Sequence, residues 1–176
     1  RDNRRQVGPR MKVAIVYHPS LPARPFAFSV LQTSDRGLTG SELSSIEYAQ
    51  HLTGLGHEVT WYGAVQFPAL MHNTPVMPYS DAQMSDGNDA VVAWNTDAAL
   101  RAGTGNALRI LNMQVSDFGW CQPGWEAHVD LFCPLSMSHA QHMRSQTHIS
   151  SSQWRIMHNG VDLDAFRPGG PDGDTP

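Results

Sequence analysis

Hydrophobic positions fall into short runs separated by amphipathic or polar stretches. Met11–Tyr17 (MKVAIVY) is nearly all apolar and rich in Val and Ile, the pattern of a parallel strand buried on both faces. His18–Gly40 has no sustained period and carries repeated prolines, so it reads as a long functional loop. From Ser41 the period changes. Leu43, Ile46, Ala49 and Leu52 recur at helical spacing, with Ser44, Glu47, Gln50 and His51 on the other side. Gly54-Leu55-Gly56 ends that helix, because glycine takes the left-handed conformation cheaply. Glu58–Tyr62 then predicts a second strand, followed by strand-like runs at Ala90–Trp94, Arg109–Val115, Val129–Cys133 and Gln153–Met157.

A helix is expected before Gly103 and another over Ser136–Gln146, where Ser138 and Gln141 have capping-box spacing. Strands alternating with helices imply right-handed crossovers and an α/β fold, a doubly wound parallel sheet in three layers, α/β/α. The limits of this domain are 11–168. Residues 1–10, with Arg1, Arg4, Arg5 and Arg10, read as a tag, linker or disordered tail. Residues 169–176 (GGPDGDTP) hold too little apolar surface to offset their ordering entropy and read as a linker or disordered end.

Composition narrows the chemistry. Twelve basic residues against 16 acidic ones leave a net charge of −4, and no basic stripe interleaved with aromatics is present, which argues against nucleic acid as a partner. No apolar run approaches the roughly 20 residues of a transmembrane segment, so a cytoplasmic location is expected, with peripheral attachment to a membrane left open. The two cysteines, Cys121 and Cys133, lack metal-ligand spacing and are expected as reduced thiols. His139 and His142 share a helix face at i, i+3 without a third ligand spaced for zinc.

Ligands of doubly wound sheets collect at the carboxyl ends of the strands. Gly37-Leu-Thr-Gly-Ser-Glu42 ends the first loop and opens the helix there, placing backbone amides and a helix N-terminus where an anion can sit. The competing account is purely structural: Ser41 caps the helix, Glu42 offsets the macrodipole and the glycines make the turn. The segment is neither a Gly-x-Gly-x-x-Gly fingerprint nor a P-loop, and Gly103-Thr-Gly105 lacks the third glycine.

Thr39-Gly40-Ser41-Glu42, then Tyr48-Ala49-x-x-Leu52 and Gly56-His57-Glu58-Val59, resembles the opening of family-four retaining glycosyltransferases, which have the GT-B fold. Asp130-Leu-Phe-Cys-Pro-Leu-Ser136 is similar to that family's strand ending in a helix-capping Ser. Asn159-Gly160-Val161-Asp162 through Phe166 and Pro168 resembles its Asn-Gly-Val-Asp...Phe-x-Pro segment. The resemblance spans about residues 11–168. It implies the first of two Rossmann-like domains, the acceptor side, in an enzyme that transfers a sugar from a nucleoside-diphosphate sugar to a hydroxyl acceptor. It also implies a C-terminal donor-binding domain that is missing here, without which the chain is expected to be inactive. No cofactor is implied, and the reaction is expected to be metal-independent.

By the same resemblance, Gly40 and Ser41 present amides to the donor phosphate and Glu42 fixes the loop. Gln114 stands where many members carry a histidine facing the acceptor, and Gln cannot take a proton. Asp117 is then the nearest ionisable group and the candidate catalytic base, or alternatively a turn former. His18 and Asn95 follow the first and third strands and are candidate acceptor ligands. Trp120 and Trp125 flank a turn and can stack on a sugar or cap the core edge. Thr39, in place of a glycine, adds a side chain at the donor phosphate. The Thr39 and Gln114 departures favour the alternative of a non-catalytic Rossmann-like module that binds a ligand or partner.

Overall fold

The computed structural model describes residues 8–18, 40–81 and 87–160. Among them, β1 (Lys12–Tyr17), α1 (Gly40–Gly54), β2 (Glu58–Gly63), β3 (Ala69–Met71), β4 (Thr74–Pro78), β5 (Ala90–Trp94), α2 (Ala98–Arg101), β6 (Leu108–Met113), β7 (Leu131–Pro134) and α3 (Met137–Arg144) follow in chain order. The strands form one seven-stranded sheet in the order β3-β4-β2-β1-β5-β6-β7. All neighbouring pairs are parallel except β3 with β4. The result is a three-layer α/β arrangement. The long loop expected between β1 and α1 lies outside the described residues, as do residues 161–176.

The central strands explain the uninterrupted apolar runs. Val13, Ile15 and Tyr17 of β1, with Ala90, Val92 and Trp94 of β5, pack on one face beside Ile46 and Ala49 of α1. Ala14, Val16, Val91 and Ala93 point to the other face and pack with Ala99 and Leu100 of α2 and Ala140 and Met143 of α3. Because alternate side chains leave opposite faces, a strand covered on both sides has no polar position to spare. Each fully buried Val, Ile or Leu contributes roughly 1.5–3 kcal/mol.

α1 ends as expected. Gly56 is left-handed (φ 92°), its amide donates to Thr53 O at 2.9 Å, and His57 N donates to Leu52 O at 3.1 Å. This Schellman pair satisfies carbonyls the last turn would leave open.

Other elements differ from expectation for identifiable reasons. The β3–β4 hairpin is absent from the sequence reading because it turns on His72-Asn73, both at positive φ (45° and 67°), rather than on Asn-Gly. Pro75 also disguises β4, yet the ladder to β2 begins one residue later, at Trp61↔Val76, where an amide is available. β6 stops at Met113 instead of reaching Val115, because the Gln114 amide donates to the Asn95 side chain at 2.7 Å. β7 starts at Leu131 because the Val129 amide closes the preceding 3-10 turn on Glu126 O. Gln153–Met157 is not a full strand. Ser151–Gln153 form a 3-10 turn capped by Ser150, after which Trp154 bridges Phe132 while Arg155 and Met157 donate to Phe132 O and Pro134 O. The cap of α3 is Ser136, the helix-capping Ser that the Asp130–Ser136 motif implies, whose hydroxyl accepts from His139 N at 3.1 Å; the Ser138–Gln141 spacing is not the cap. That hydroxyl is the one preceding the first helical residue.

Trp61 locks α1 to the sheet. Its side chain is buried, and its indole N–H donates to Ser45 Oγ at 2.9 Å while Ser45 Oγ donates to Glu42 O at 2.7 Å. The six-membered ring lies over Gly63, two residues on, and a Cβ at Gly63 would overlap three of its atoms. Gly63→Ala must displace a buried ring, so we expect a loss of about 1–3 kcal/mol, the usual cost of overpacking. Urea denaturation followed by far-UV circular dichroism measures it; unchanged stability would mean that Trp61 moves freely.

Candidate functional site

The chain winds outward in both directions from the β1/β5 pair, which makes the carboxyl end of that pair the crevice of the sheet. α1 follows β1, so its N-terminus lies at this edge. Asn95 leaves β5 beside it with φ 59°, a left-handed conformation that Asn tolerates better than most residues. Its own amide still donates to Asn112 O at 2.8 Å, the last bond to β6 before the left-handed backbone turns the chain off the sheet. Its side chain then faces two ways. Nδ2 donates to Ser41 Oγ at 3.4 Å, and Oδ1 accepts the Gln114 amide at 2.7 Å.

Gln114 extends the cluster. Its Nε2 donates to Ser44 Oγ and to Asn159 Oδ1, both at 2.9 Å, and Ser44 Oγ donates to Asn159 Oδ1 at 3.1 Å. One helix turn, the ends of two strands and the segment after Trp154 therefore meet through hydroxyls and carboxamides. None of these side chains is charged. Such groups both donate and accept, the pairing that hydroxyl-bearing ligands require.

The predicted residues fare differently. Ser41, Asn95 and Gln114 belong to this cluster. Gly40 begins α1, and a Cβ there meets no atom of the described residues within 4 Å. Ser41 is thus the second residue of the helix rather than the residue before it. Glu42 is buried in the first helical turn, where the helix dipole favours a carboxylate; its expected hold on the preceding loop lies outside the described residues, as does Thr39. His18, at the end of β1, is half-buried and meets Tyr79 edge-to-face at 4.5 Å. Burial lowers its pKa from the ordinary 6.5, which keeps the imidazole neutral at pH 7. Asp117 is exposed, and its Oδ1 accepts the Gly119 amide at 2.8 Å, the geometry of an Asx turn.

Ser44 and Asn159 were not singled out as ligands by the sequence. The available signals were Ser44 at i+3 from Ser41, on the same helical face, and Asn159 at the head of the Asn-Gly motif. Equally unforeseen is Asp97, fully buried, which pairs with Arg101 and accepts the Gln122 amide at 3.1 Å. Arg101 in turn donates to the carbonyls of Gln122 and Pro123, both at 2.9 Å. This pair, with Asp97 buried and Arg101 partly exposed, holds the loop after β6 in place.

The remaining candidates resolve as structure. Trp125 is buried and stacks on Phe118 at 4.4 Å, while Trp120 stays exposed. His139 accepts the Leu135 amide at Nδ1, which leaves the ring proton on Nε2 to be donated to Val115 O at 2.9 Å. It therefore pins α3 to the end of β6. Among the described residues no group of three His, Cys, Asp or Glu is placed to hold a metal ion, and no helix is long and apolar enough to cross a membrane.

Both cysteines are free thiols. Desolvation by burial pushes Cys121 up to about 12 and Cys133 up to about 11, so neither is a thiolate at neutral pH. No protein-family model matches the chain, and no curated protein matches it.

Two outcomes are expected. Asn95→Ala removes the acceptor for the Gln114 amide and places Ala in a left-handed conformation, so unfolding free energy should fall by about 2–4 kcal/mol, whereas Asn95→Asp, which keeps Oδ1, should lose less. Chemical denaturation of both variants checks the order. Iodoacetamide at pH 7.5 should leave both thiols unmodified in the folded chain and label both in urea, read by mass spectrometry; rapid labelling of the folded chain would contradict the burial-raised pKa values.

Proposed function

We propose that this chain is the acceptor-side domain of a two-domain retaining glycosyltransferase with Rossmann-like halves, which transfers a sugar from a nucleoside-diphosphate sugar to a hydroxyl acceptor. The observation that carries this reading is the neutral cluster of Ser41, Ser44, Asn95, Gln114 and Asn159 at the reversal of strand order, beside the N-terminus of a 15-residue helix. Strand order supports it as well. With the antiparallel β3 set aside, the parallel strands run 3-2-1-4-5-6 in chain order, the arrangement of doubly wound nucleotide-binding folds.

In this reading the amides of Gly40 and Ser41 face the donor diphosphate, and Gln114, Asn95 and His18 orient the acceptor. The anomeric carbon–phosphate oxygen bond breaks, the acceptor oxygen bonds to that carbon, and the acceptor proton passes to Asp117 as base. A second domain across the crevice supplies the contacts to nucleotide and sugar.

A second reading, a non-catalytic module that binds a ligand or partner, is favoured by one specific observation. None of the cluster's side chains titrates near neutral pH, and Asp117 already serves a turn. Calorimetry separates the two. A helix dipole contributes roughly 0.3–1 kcal/mol at an exposed site, so the chain alone should bind nucleoside-diphosphate sugars no tighter than about millimolar. Joined to a donor-side domain it should bind and transfer, and Gly40→Val should weaken donor affinity about tenfold or more while the fold persists, since the added side chain meets none of the described residues at the helix start. Micromolar donor binding by this chain alone would instead make it an autonomous nucleotide-binding domain.

A further inference from the structure

Asn159 and Gly160, at the outer end of the polar cluster, carry a chemistry that the proposed function does not use. No other asparagine in the sequence is followed by glycine. The covalent chain places the amide nitrogen after an asparagine to close a five-membered ring on the side-chain carbon, and a glycine there has no Cβ to obstruct the approach. Both residues are exposed and lie outside every helix and strand, so water reaches them and no ladder fixes their backbone. Among the described residues the Gly160 amide makes no backbone hydrogen bond.

The fold adds what a flexible peptide lacks. Asn159 Oδ1 accepts from Gln114 Nε2 at 2.9 Å and from Ser44 Oγ at 3.1 Å. That oxygen takes up negative charge when a nucleophile adds to Cγ, and donors fixed in place stabilise the charged intermediate more than the neutral amide. The two donors lie 45 and 115 residues away in sequence, so only the folded chain supplies them. We propose that Asn159 is a self-modification site, converted through a succinimide to aspartate and isoaspartate, with Gln114 and Ser44 as the oxyanion donors. The Gly160 amide gives its proton to hydroxide, its nitrogen bonds to Asn159 Cγ, and the Cγ–Nδ2 bond breaks to release ammonia. Water then opens the ring. Cleavage of the new bond to Cγ leaves aspartate, whereas cleavage between Gly160 N and the Asn159 backbone carbonyl carbon leaves isoaspartate. Either product carries a carboxylate where a carboxamide stood. In the aspartate product it still accepts from Gln114 and Ser44, so the cluster persists while the crevice gains a negative charge, the sign that repels a phosphate group. The step needs only the chain, hydroxide and water, and holds whether or not the protein transfers sugar.

Incubating the intact protein at mildly alkaline pH, with peptide mapping by mass spectrometry, tests the site. Asn159 should convert ahead of every other asparagine, at a rate that rises with pH, and should yield isoaspartate, which direct hydrolysis of the side chain does not give. Gly160→Ala should slow conversion strongly with the fold intact, since its Cβ meets none of the described residues. Gln114→Leu keeps the backbone amide that bonds Asn95 and removes one oxyanion donor. In the folded protein it should slow conversion about tenfold or more, and in urea, where the cluster is gone, it should match the wild type. Ser44→Ala, which places a good helix former in α1, should act in the same way. An Asn159 that stays intact while other asparagines convert, or that yields aspartate alone, would overturn the site. Wild-type rates in both folded donor variants would overturn the part assigned to Gln114 and Ser44.

Discussion

Asn95 carries the junction on which the arrangement of this chain depends. Where β5 ends, its left-handed backbone turns the chain away from the sheet, its amide stays bonded to β6, and its carboxamide takes hold of α1 through Ser41 and of the end of β6 through Gln114. Each bond alone contributes about 0.5–1.5 kcal/mol. Their importance lies in location. The carboxyl edge at the reversal of strand order is where hydrophobic packing ends and backbone groups lose their ladder partners, so side chains must take over. One carboxamide does this for the helix and for two strands at once, and the cluster of Gln114, Ser44 and Asn159 is built outward from it.

Around that junction the two faces of the sheet do different work. The α2–α3 face is an aromatic and aliphatic core, with Phe132 between Trp125 and Trp154 and Phe118 stacked on Trp125. The α1 face mixes packing with polar contacts: Trp61 anchors on Ser45, Tyr48 lies against Trp94, and Asn112 is buried beside them in register. A buried carboxamide on a strand of the sheet interior is costly unless satisfied. The opposite, amino edge is closed by plain electrostatics. There Arg109 donates to Asp130 at 2.6 and 3.0 Å and holds its carboxyl below the usual carboxylate range. The Arg109–Asp130 pair thus secures the amino edge, while the carboxyl edge combines the neutral cluster around Asn95 with the Asp97–Arg101 pair.

Periodicity and turn chemistry were sufficient for much of this. The apolar runs of β1 and β5, the helical spacing of α1 and the glycine stop at Gly56 each depend on residues close in sequence, and each appears in the structure at about the expected position. The crevice and three of its polar residues, Ser41, Asn95 and Gln114, were legible for the same reason, since a strand end or helix start can be located from local pattern. The hairpin at His72-Asn73 was not, because neither residue is a glycine and β4 carries two prolines. Likewise, Asp117 is a plausible base by sequence position, and only its contact with Gly119 shows how its carboxylate is used.

By itself, then, the sequence determined the alternation of elements, the two-sided burial of the central strands and the stretch of chain where polar side chains gather, all of them consequences of spacing within one element. Tertiary structure decided what lies beyond such spacing. It placed Asn159 within hydrogen-bonding distance of Ser44, 115 residues earlier, ended β6 where Asn95 captured an amide 19 residues away, and set Asn112 beside Trp94 on one face. Those outcomes depend on which strands become neighbours and in what register. No local pattern encodes that, because a shift of one residue would send every one of these side chains to the opposite face.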